Sequence, residues 1–382
     1  MKKKTLSIVA IMCVLTLLFT GCGSKKASSD ESKEIKVGVL APLTGNVSVY
    51  GISASNGTRL AFDEVNKDGG VLGKKIKFII EDEKGDATEA VNAYNKLANN
   101  EEVVAVIGDI TSKPAAAVAN ASQKEKIPVI TPTATAANVT TYGENVFRAC
   151  FLDPFQGSVM AKFAKEKLSA KTAAIVYNTG DDYSSGVAEA FKKAFEKAGG
   201  KVVAYEGYGA TDKDFKAQLT KIKGQSPDVL MIPDYYNTVA LIAAQIKEVG
   251  LKTVLLGSDG WDGVLGAVQD TALVEGAYFS NHYSPMDTDS DVQNFIKNYK
   301  AKFNEDPNAL SALGYDAAKI LIAAIEKAKS TDKNKVIKAL KGIEIKGVTG
   351  KITFDENRNP IKSVTVLKVK SGKVEVFEKM NP

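Results

Sequence analysis

Short β-branched runs alternate with longer stretches of helical period along this chain, and the alternation, repeated on either side of Pro154, limits the fold more than any other feature. Before Pro154 the runs are residues 35–40, 76–80, 103–107 and 127–130; after it they are 173–177, 202–205, 229–232 and 254–256. Continuous apolar character, rather than strict alternation, marks strands of a parallel sheet covered on both faces. Between them, residues 52–67 bring Leu60 and Val65 to one face and stop at Asp68-Gly69-Gly70, a helix terminator, while residues 86–99 group Ala90, Tyr94 and Leu97. Val187, Phe191 and Phe195 share one later face, and Phe215, Leu219 and Ile222 another. Residues 289–303 and 309–327 read as consecutive helices, and strands 362–370 and 373–378 flank the turn Ser371-Gly372. Two doubly wound, Rossmann-like α/β domains follow from this repetition.

The first 30 residues carry a different signal. Lys2, Lys3 and Lys4 precede an apolar run from Leu6 to Phe19, which ends at Thr20-Gly21-Cys22 ahead of a polar stretch to Asp30. The run is short for a bilayer span, which needs about 20 residues, and it stops at small residues, so residues 1–21 read as a removable export signal. Phe19-Thr20-Gly21-Cys22 resembles the lipobox of bacterial lipoproteins, with Phe19 where Leu is usual. That resemblance implies lipidation at Cys22, a flexible tether over 22–33 and a place on the outer face of the cell membrane; a plain secretory signal with a cysteine beside it is the alternative. More than one acyl chain is needed for a stable anchor.

The three lysines of the signal account for three of the five net positive charges, so the remaining surplus is too small for a nucleic-acid footprint. Lys-rich stretches such as 162–171 and 333–341 read as solvated helix faces. With Cys13 in the signal and Cys22 acylated, Cys150 is left without a disulfide partner; flanked by Phe151 and Leu152, it reads as a small buried hydrophobe. Stability then rests on the hydrophobic core, which a chain of this length supplies without covalent staples.

In an open parallel sheet, ligands bind beyond the carboxyl ends of the strands. Strand 103–107 runs into Gly108-Asp109-Ile110-Thr111-Ser112-Lys113-Pro114, strand 127–130 into Thr131-Pro132-Thr133-Ala134-Thr135, and strand 254–256 into Gly257-Ser258-Asp259-Gly260-Trp261-Asp262. Ser112 stands at a helix N-cap position, where its hydroxyl and free backbone donors suit a carboxylate. Thr133 and Thr135 add hydroxyls and amides, and Asp259 suits an ammonium through charge-assisted bonds. Together they fit an α-amino acid headgroup, although each residue taken alone is also ordinary turn chemistry.

From Ile35 to Phe377 the chain resembles the branched-chain amino-acid binding proteins of ABC importers, which have the type I periplasmic-binding fold. The resemblance is carried by Lys36-Val37-Gly38, Pro42-Leu43-Thr44-Gly45, Tyr50-Gly51, Asp68-Gly69-Gly70, Ile107-Gly108, Ile130-Thr131-Pro132-Thr133-Ala134-Thr135, Tyr183-Ser184-Ser185-Gly186, Gly257-Ser258-Asp259-Gly260 and Gly314-Tyr315-Asp316-Ala317-Ala318. It implies that Ser112 and Thr135 bind a ligand carboxylate, that Thr133 and Ala134 contribute from the same loop, and that Tyr183, Tyr235, Asp259 and Gly260 approach from the second lobe. Asp259 replaces the Glu of the leucine-type receptors, keeping the charge on a shorter arm and leaving open whether a water intervenes. Tyr50, Ile110, Tyr183, Tyr235, Trp261 and Leu310 would form an aromatic and apolar wall that disfavours a charged ligand side chain. Trp261 reads equally well as packing beneath its loop, and Leu310 as plain helix core.

The expected organisation is an N-terminal lobe of 34–152 plus 283–363 and a C-terminal lobe of 153–282 plus 364–382, joined by hinges near 152, 282 and 363. Closure on an amino acid and delivery to ABC permease subunits in the membrane is the expected function, with no cofactor, metal or nucleic acid. A tethered chemosensory receptor is the alternative, as is an importer of an aromatic acid or small amide. Enzyme chemistry has little material: His282 is the sole histidine, better suited to a hinge than to general-base work, and Gly207-Tyr208-Gly209 lacks the third glycine of a dinucleotide loop.

Overall fold

The computed structural model describes residues 34–380; the signal, Cys22 and the tether lie outside the described residues. Strands β1 (Glu34–Ala41), β2 (Lys75–Asp82), β3 (Ala105–Ile107), β4 (Val129–Thr131) and β5 (Val146–Arg148) form a parallel sheet ordered β2-β1-β3-β4-β5. The chain then enters a second sheet through β6 (Thr172–Asn178), β7 (Lys201–Tyr208), β8 (Val229–Ile232), β9 (Val254–Gly257) and β10 (Tyr278–Asn281). Helices Ser290–Phe303, Ala309–Ala328 and Lys333–Lys341 and the hairpin β11 (Glu344–Gly347) and β12 (Gly350–Thr353) follow, before β13 (Val364–Lys370) and β14 (Lys373–Met380) return to the second sheet. Its order is β14-β13-β10-β9-β8-β6-β7, with β13 antiparallel to both of its neighbours and the other pairings parallel. These are the two lobes of a type I periplasmic-binding fold.

Helix Ala309–Ala328 belongs with the first sheet although it lies 160 residues and more beyond that sheet's last strand. Leu313, Ala317, Ile320, Leu321 and Ile325 share a buried cluster with Ile35, Val37 and Val39 of β1. Its approach to helix Ser48–Lys67 depends on reciprocal glycines. A Cβ on Gly57 would sit 1.9 Å from the Ser311 carbonyl oxygen, and one on Gly314 would sit 2.0 Å from that of Ala54. Thr58 Oγ1 donates across this contact to Gly314 O at 3.0 Å. The close crossing holds Tyr50 and Leu310, near the start of each helix, at the edge facing the second sheet.

Periodicity anticipated most elements within a few residues; the departures are local. The helix expected over 86–99 is Ala87–Asn95 and continues as a π-helical turn, Lys96–Asn100. Strands β5 and β10 and the β11–β12 hairpin carry no strong run: β5 has three residues, β10 reads Tyr-Phe-Ser-Asn, and the half-exposed, lysine-bearing hairpin alternates polar and apolar residues. Among the described residues, no helix is long and apolar enough to cross a membrane.

Candidate functional site

The loops after β3, β4 and β9 converge between the sheets. Tyr50, Ile110, Thr111, Ser112, Thr133, Thr135, Tyr183, Tyr235, Asp259, Gly260 and Leu310 line one cavity of about 20 Å³. Room for about one water is all that this leaves.

On the first-sheet side, the two loops are tied to each other. Thr131 Oγ1 donates to Asp109 O at 2.6 Å and accepts from the Ala134 N–H at 3.0 Å, while Thr133 Oγ1 donates to Ile110 O at 2.5 Å. Ser112 is the first residue of its helix rather than the N-cap: Thr111, at φ −102° and ψ 153°, marks the boundary. The Ser112 oxygen accepts instead from the Ala136 N–H at 3.2 Å, which leaves its proton to donate elsewhere. Buried Arg148 gathers the loop's carbonyls, donating to Ala134 O at 2.8 Å and Ala136 O at 2.9 Å. Burial holds this guanidinium below its ordinary range.

The opposite wall is aromatic. Tyr183 and Tyr235 stack at 5.0 Å and 18°, and Tyr50 meets Tyr235 edge-on at 5.9 Å. Tyr183 Oη accepts from the Gly260 N–H at 2.8 Å and shares a 2.6 Å bond with Ser258 Oγ. Tyr50 reaches across the cleft, donating to Gly260 O and accepting from the Tyr236 N–H at 3.3 Å; Tyr236 Oη in turn donates to Asn46 O at 3.0 Å. Burial pushes the phenols of Tyr50, Tyr183 and Tyr235 well above their ordinary range, so all three stay neutral.

Asp259 is held on both carboxylate oxygens. Gln156 Nε2 donates to Oδ1 at 2.9 Å, and His282 Nε2 lies 2.9 Å from Oδ2. Gln156 Oε1 accepts from the Asp259 N–H at 3.1 Å and from Ser280 Oγ at 2.8 Å, while its amide also donates to Asp153 Oδ1 at 2.9 Å. Burial pushes Asp153 well above the usual carboxylate range, with Asp259 adding to the shift.

Two expected site residues stand apart. Trp261 is fully buried: its indole N–H donates to Ile232 O at 2.8 Å and its ring stacks on Phe279 at 6.0 Å, beside a separate cavity of about 190 Å³. Ala134 spends its N–H on Thr131 and its carbonyl on Arg148 and Cys150, and its methyl packs with Ala115 and Val139. Gln156, Asp153 and Arg148 escaped sequence reasoning. A faint signal existed in Asp153-Pro154-Phe155-Gln156, whose acid and amide three residues apart open a helix.

A larger groove of about 940 Å³ lies away from these loops, between helices Ser48–Lys67 and Ser290–Phe303. Its polar groups satisfy one another: Glu64 accepts from Tyr315 Oη at 2.7 Å and from Asn298 Nδ2 at 2.8 Å, and Lys302 pairs with Asp63.

Residues 34–373 match the model of the family described as periplasmic binding protein. The chain belongs to the periplasmic binding protein family. Its relatives include the Leu/Ile/Val-binding protein BraC3 of Rhizobium johnstonii, 33% identical over 96% of this chain and 100% of the relative. A leucine-, isoleucine-, valine-, threonine- and alanine-binding protein of Pseudomonas aeruginosa is 32% identical over 93% of this chain and 94% of its own length. Among solved structures, a leucine-binding protein LivK of Thermotoga maritima matches with a TM-score of 0.86 and 35% identity, covering 91% of this chain and 99% of that one. The branched-chain amino acid transporter substrate-binding protein LivJ of Streptococcus pneumoniae, solved with isoleucine, matches at 0.85 and 32%, covering 91% and 100%. Periplasmic binding proteins are extracytoplasmic solute binders rather than enzymes, and this chain is one of them.

Proposed function

We propose that this protein captures an apolar α-amino acid, branched-chain in the first instance, between its lobes and hands it to an ABC importer. The observation that carries the reading is the opposition across one cleft of a hydroxyl-and-amide cradle, Ser112 with Thr133 and Thr135, to a tethered acid, Asp259, inside an aromatic wall. A carboxylate seats on the cradle, an ammonium on Asp259, and the side chain lies against Tyr50, Ile110, Tyr183, Tyr235 and Leu310. A plain carboxylic acid would leave Asp259 without a counter-charge. The names of the relatives and the isoleucine in the pneumococcal structure support the same ligand class.

A cavity of about 20 Å³ admits no amino acid, so ligand entry requires the lobes to part. The lobes are 34–152 plus 283–363 and 153–282 plus 364–382, and they turn about crossings near 152, 282 and 363. Cross-cleft bonds such as Asn138 Nδ2 to Asp182 Oδ2, 2.8 Å, then favour the closed form that ligand selects. Cys22 anchors the protein by lipid to the outer face of the membrane, close to its permease partner.

The test is a thermal-shift screen of the chain from Asp30, unfolded and refolded to strip carried ligand, against amino acids, their D-forms, simple carboxylates and amides. Ligand at a hundred times its dissociation constant stabilises by about 2.7 kcal/mol. Shifts confined to leucine, isoleucine, valine or a close apolar neighbour are expected; a response to carboxylates or amides alone would overturn the role of Asp259.

A further inference from the structure

His282 stands where one lobe hands the chain to the other, yet its imidazole reaches the acid of the cleft. Its Nε2 is 2.9 Å from Asp259 Oδ2, its ring lies on Phe151 at 3.5 Å and 22°, and its side chain is 2% exposed. Phe151 belongs to the crossing after β5, and His282 directly follows β10. We propose that His282, with Gln156, is a positioning residue that sets the Asp259 carboxylate for a ligand ammonium and fixes that carboxylate to the lobe crossings. The inference rests on the ammonium role given to Asp259 above.

The hydrogen-bond inventory supports this division of labour. An ionised carboxylate only accepts, so the His282 proton sits on Nε2, and Nδ1, buried and without a partner, is the bare nitrogen. Burial holds His282 below its ordinary range against the pull of Asp259, and the ammonium of Lys362 pushes the same way as burial. A neutral imidazole therefore orients the carboxylate without cancelling its charge. Gln156 Nε2 occupies one lone pair of Oδ1 and His282 one of Oδ2. With both oxygens tethered, neither torsion of the aspartate is free, and each oxygen keeps one further acceptor site. Asp, one methylene shorter than Glu, has less reach to find an ammonium by itself, so precise placement counts for more.

Selectivity for the ammonium separates this role from a general packing role. The probes are L-leucine and its α-hydroxy acid analogue, 2-hydroxy-4-methylpentanoate, which keeps the carboxylate and side chain but lacks the ammonium. Calorimetry on the refolded wild type, His282→Leu and His282→Gln is expected to show leucine weakened about ten-fold or more in His282→Leu, the size of a lost bond to a charged group. The hydroxy acid should change less than about two-fold, and His282→Gln, which restores a donor at similar reach, should recover most of the leucine affinity. Equal losses for both probes, or an unchanged preference for leucine in His282→Leu, would overturn the inference alone. A wild type that does not prefer leucine to the hydroxy acid would overturn the ammonium role of Asp259 and this inference with it. If His282→Leu does not fold, Gln156→Met makes the same test through Oδ1, with the same outcomes.

Discussion

Tyr50→Phe tests whether the closed cleft is held by bonds that cross it. The phenol is 3% exposed, donates to Gly260 O and accepts from the Tyr236 N–H at 3.3 Å. Phenylalanine keeps the ring and its edge contacts with Tyr235 and Tyr236, so the apolar area is nearly unchanged and only polar terms are lost. The bond to Gly260 is worth about 0.5–1.5 kcal/mol net, and leaving that carbonyl unpaired in a buried site costs about 1–3 kcal/mol. The long bond from Tyr236 adds little, and water entering the cleft offsets part of the penalty. A net cost of about 1–2 kcal/mol falls on the closed form alone, because both partners meet water when the lobes part. Apparent affinity scales with the population of the competent form, so the dissociation constant should rise about five- to thirty-fold. Calorimetry with leucine measures it, and small-angle scattering without ligand should show a larger radius of gyration than wild type. An unchanged affinity together with unchanged scattering would refute the argument that Tyr50 latches the lobes.

Asp259→Ala should weaken leucine binding by about 2–5 kcal/mol, as for truncating one partner of a buried charge pair; an unchanged dissociation constant in calorimetry would remove Asp259 from the site. Glu83 and Asp109 lie buried beneath the cradle, and their orphaned Oε1 and Oδ2 are both satisfied if the pair shares a proton. Burial pushes Glu83 up to about 7 and Asp109 well above its ordinary range, so the folded state holds protons that the unfolded chain has released. Stability should therefore fall as pH rises from about 4.5 through 7, and Glu83→Gln should flatten that slope in urea titrations at pH 5 and 8; an equal slope in both proteins would exclude the pair as its source. Trp261→Phe should cost about 0.5–1.5 kcal/mol of stability for the lost bond to Ile232 O, which keeps the Asp234 N–H, while leaving the order of ligand preference unchanged, and a changed preference in the thermal-shift screen would return Trp261 to the ligand wall.

Much of the fold was legible because parallel strands buried on both faces announce themselves as apolar runs: β1, β6 and β8 needed nothing beyond their own residues. Strands β5 and β10 were not, since three or four residues carry too little pattern and owe their conformation to the neighbours that pair with them. Ser112, Thr133, Thr135 and Asp259 were candidates by the rule that ligands sit at strand ends, and the tyrosines and Leu310 by resemblance; the structure lines one cavity with Tyr50, Tyr183, Tyr235, Leu310 and those four. Gln156 lies in the first turn of an amphipathic helix, where its spacing from Asp153 is only a faint signal, yet it is fully buried between two acids.

What the sequence determined by itself was the local and the periodic: two α/β repeats, with an acid and a set of hydroxyls at the strand ends. Hydrophobic period and turn chemistry are properties of a few consecutive residues and survive without knowledge of the rest. Only the tertiary structure decided that Trp261 packs beneath its loop, that Ser112 follows rather than caps its helix start, and that Asp259 is held by Gln156 from one helix and by His282 from the crossing after β10. Those arrangements join residues 20 to more than 100 positions apart, where hydrogen-bond partners are chosen by burial and by which groups would otherwise go unpaired.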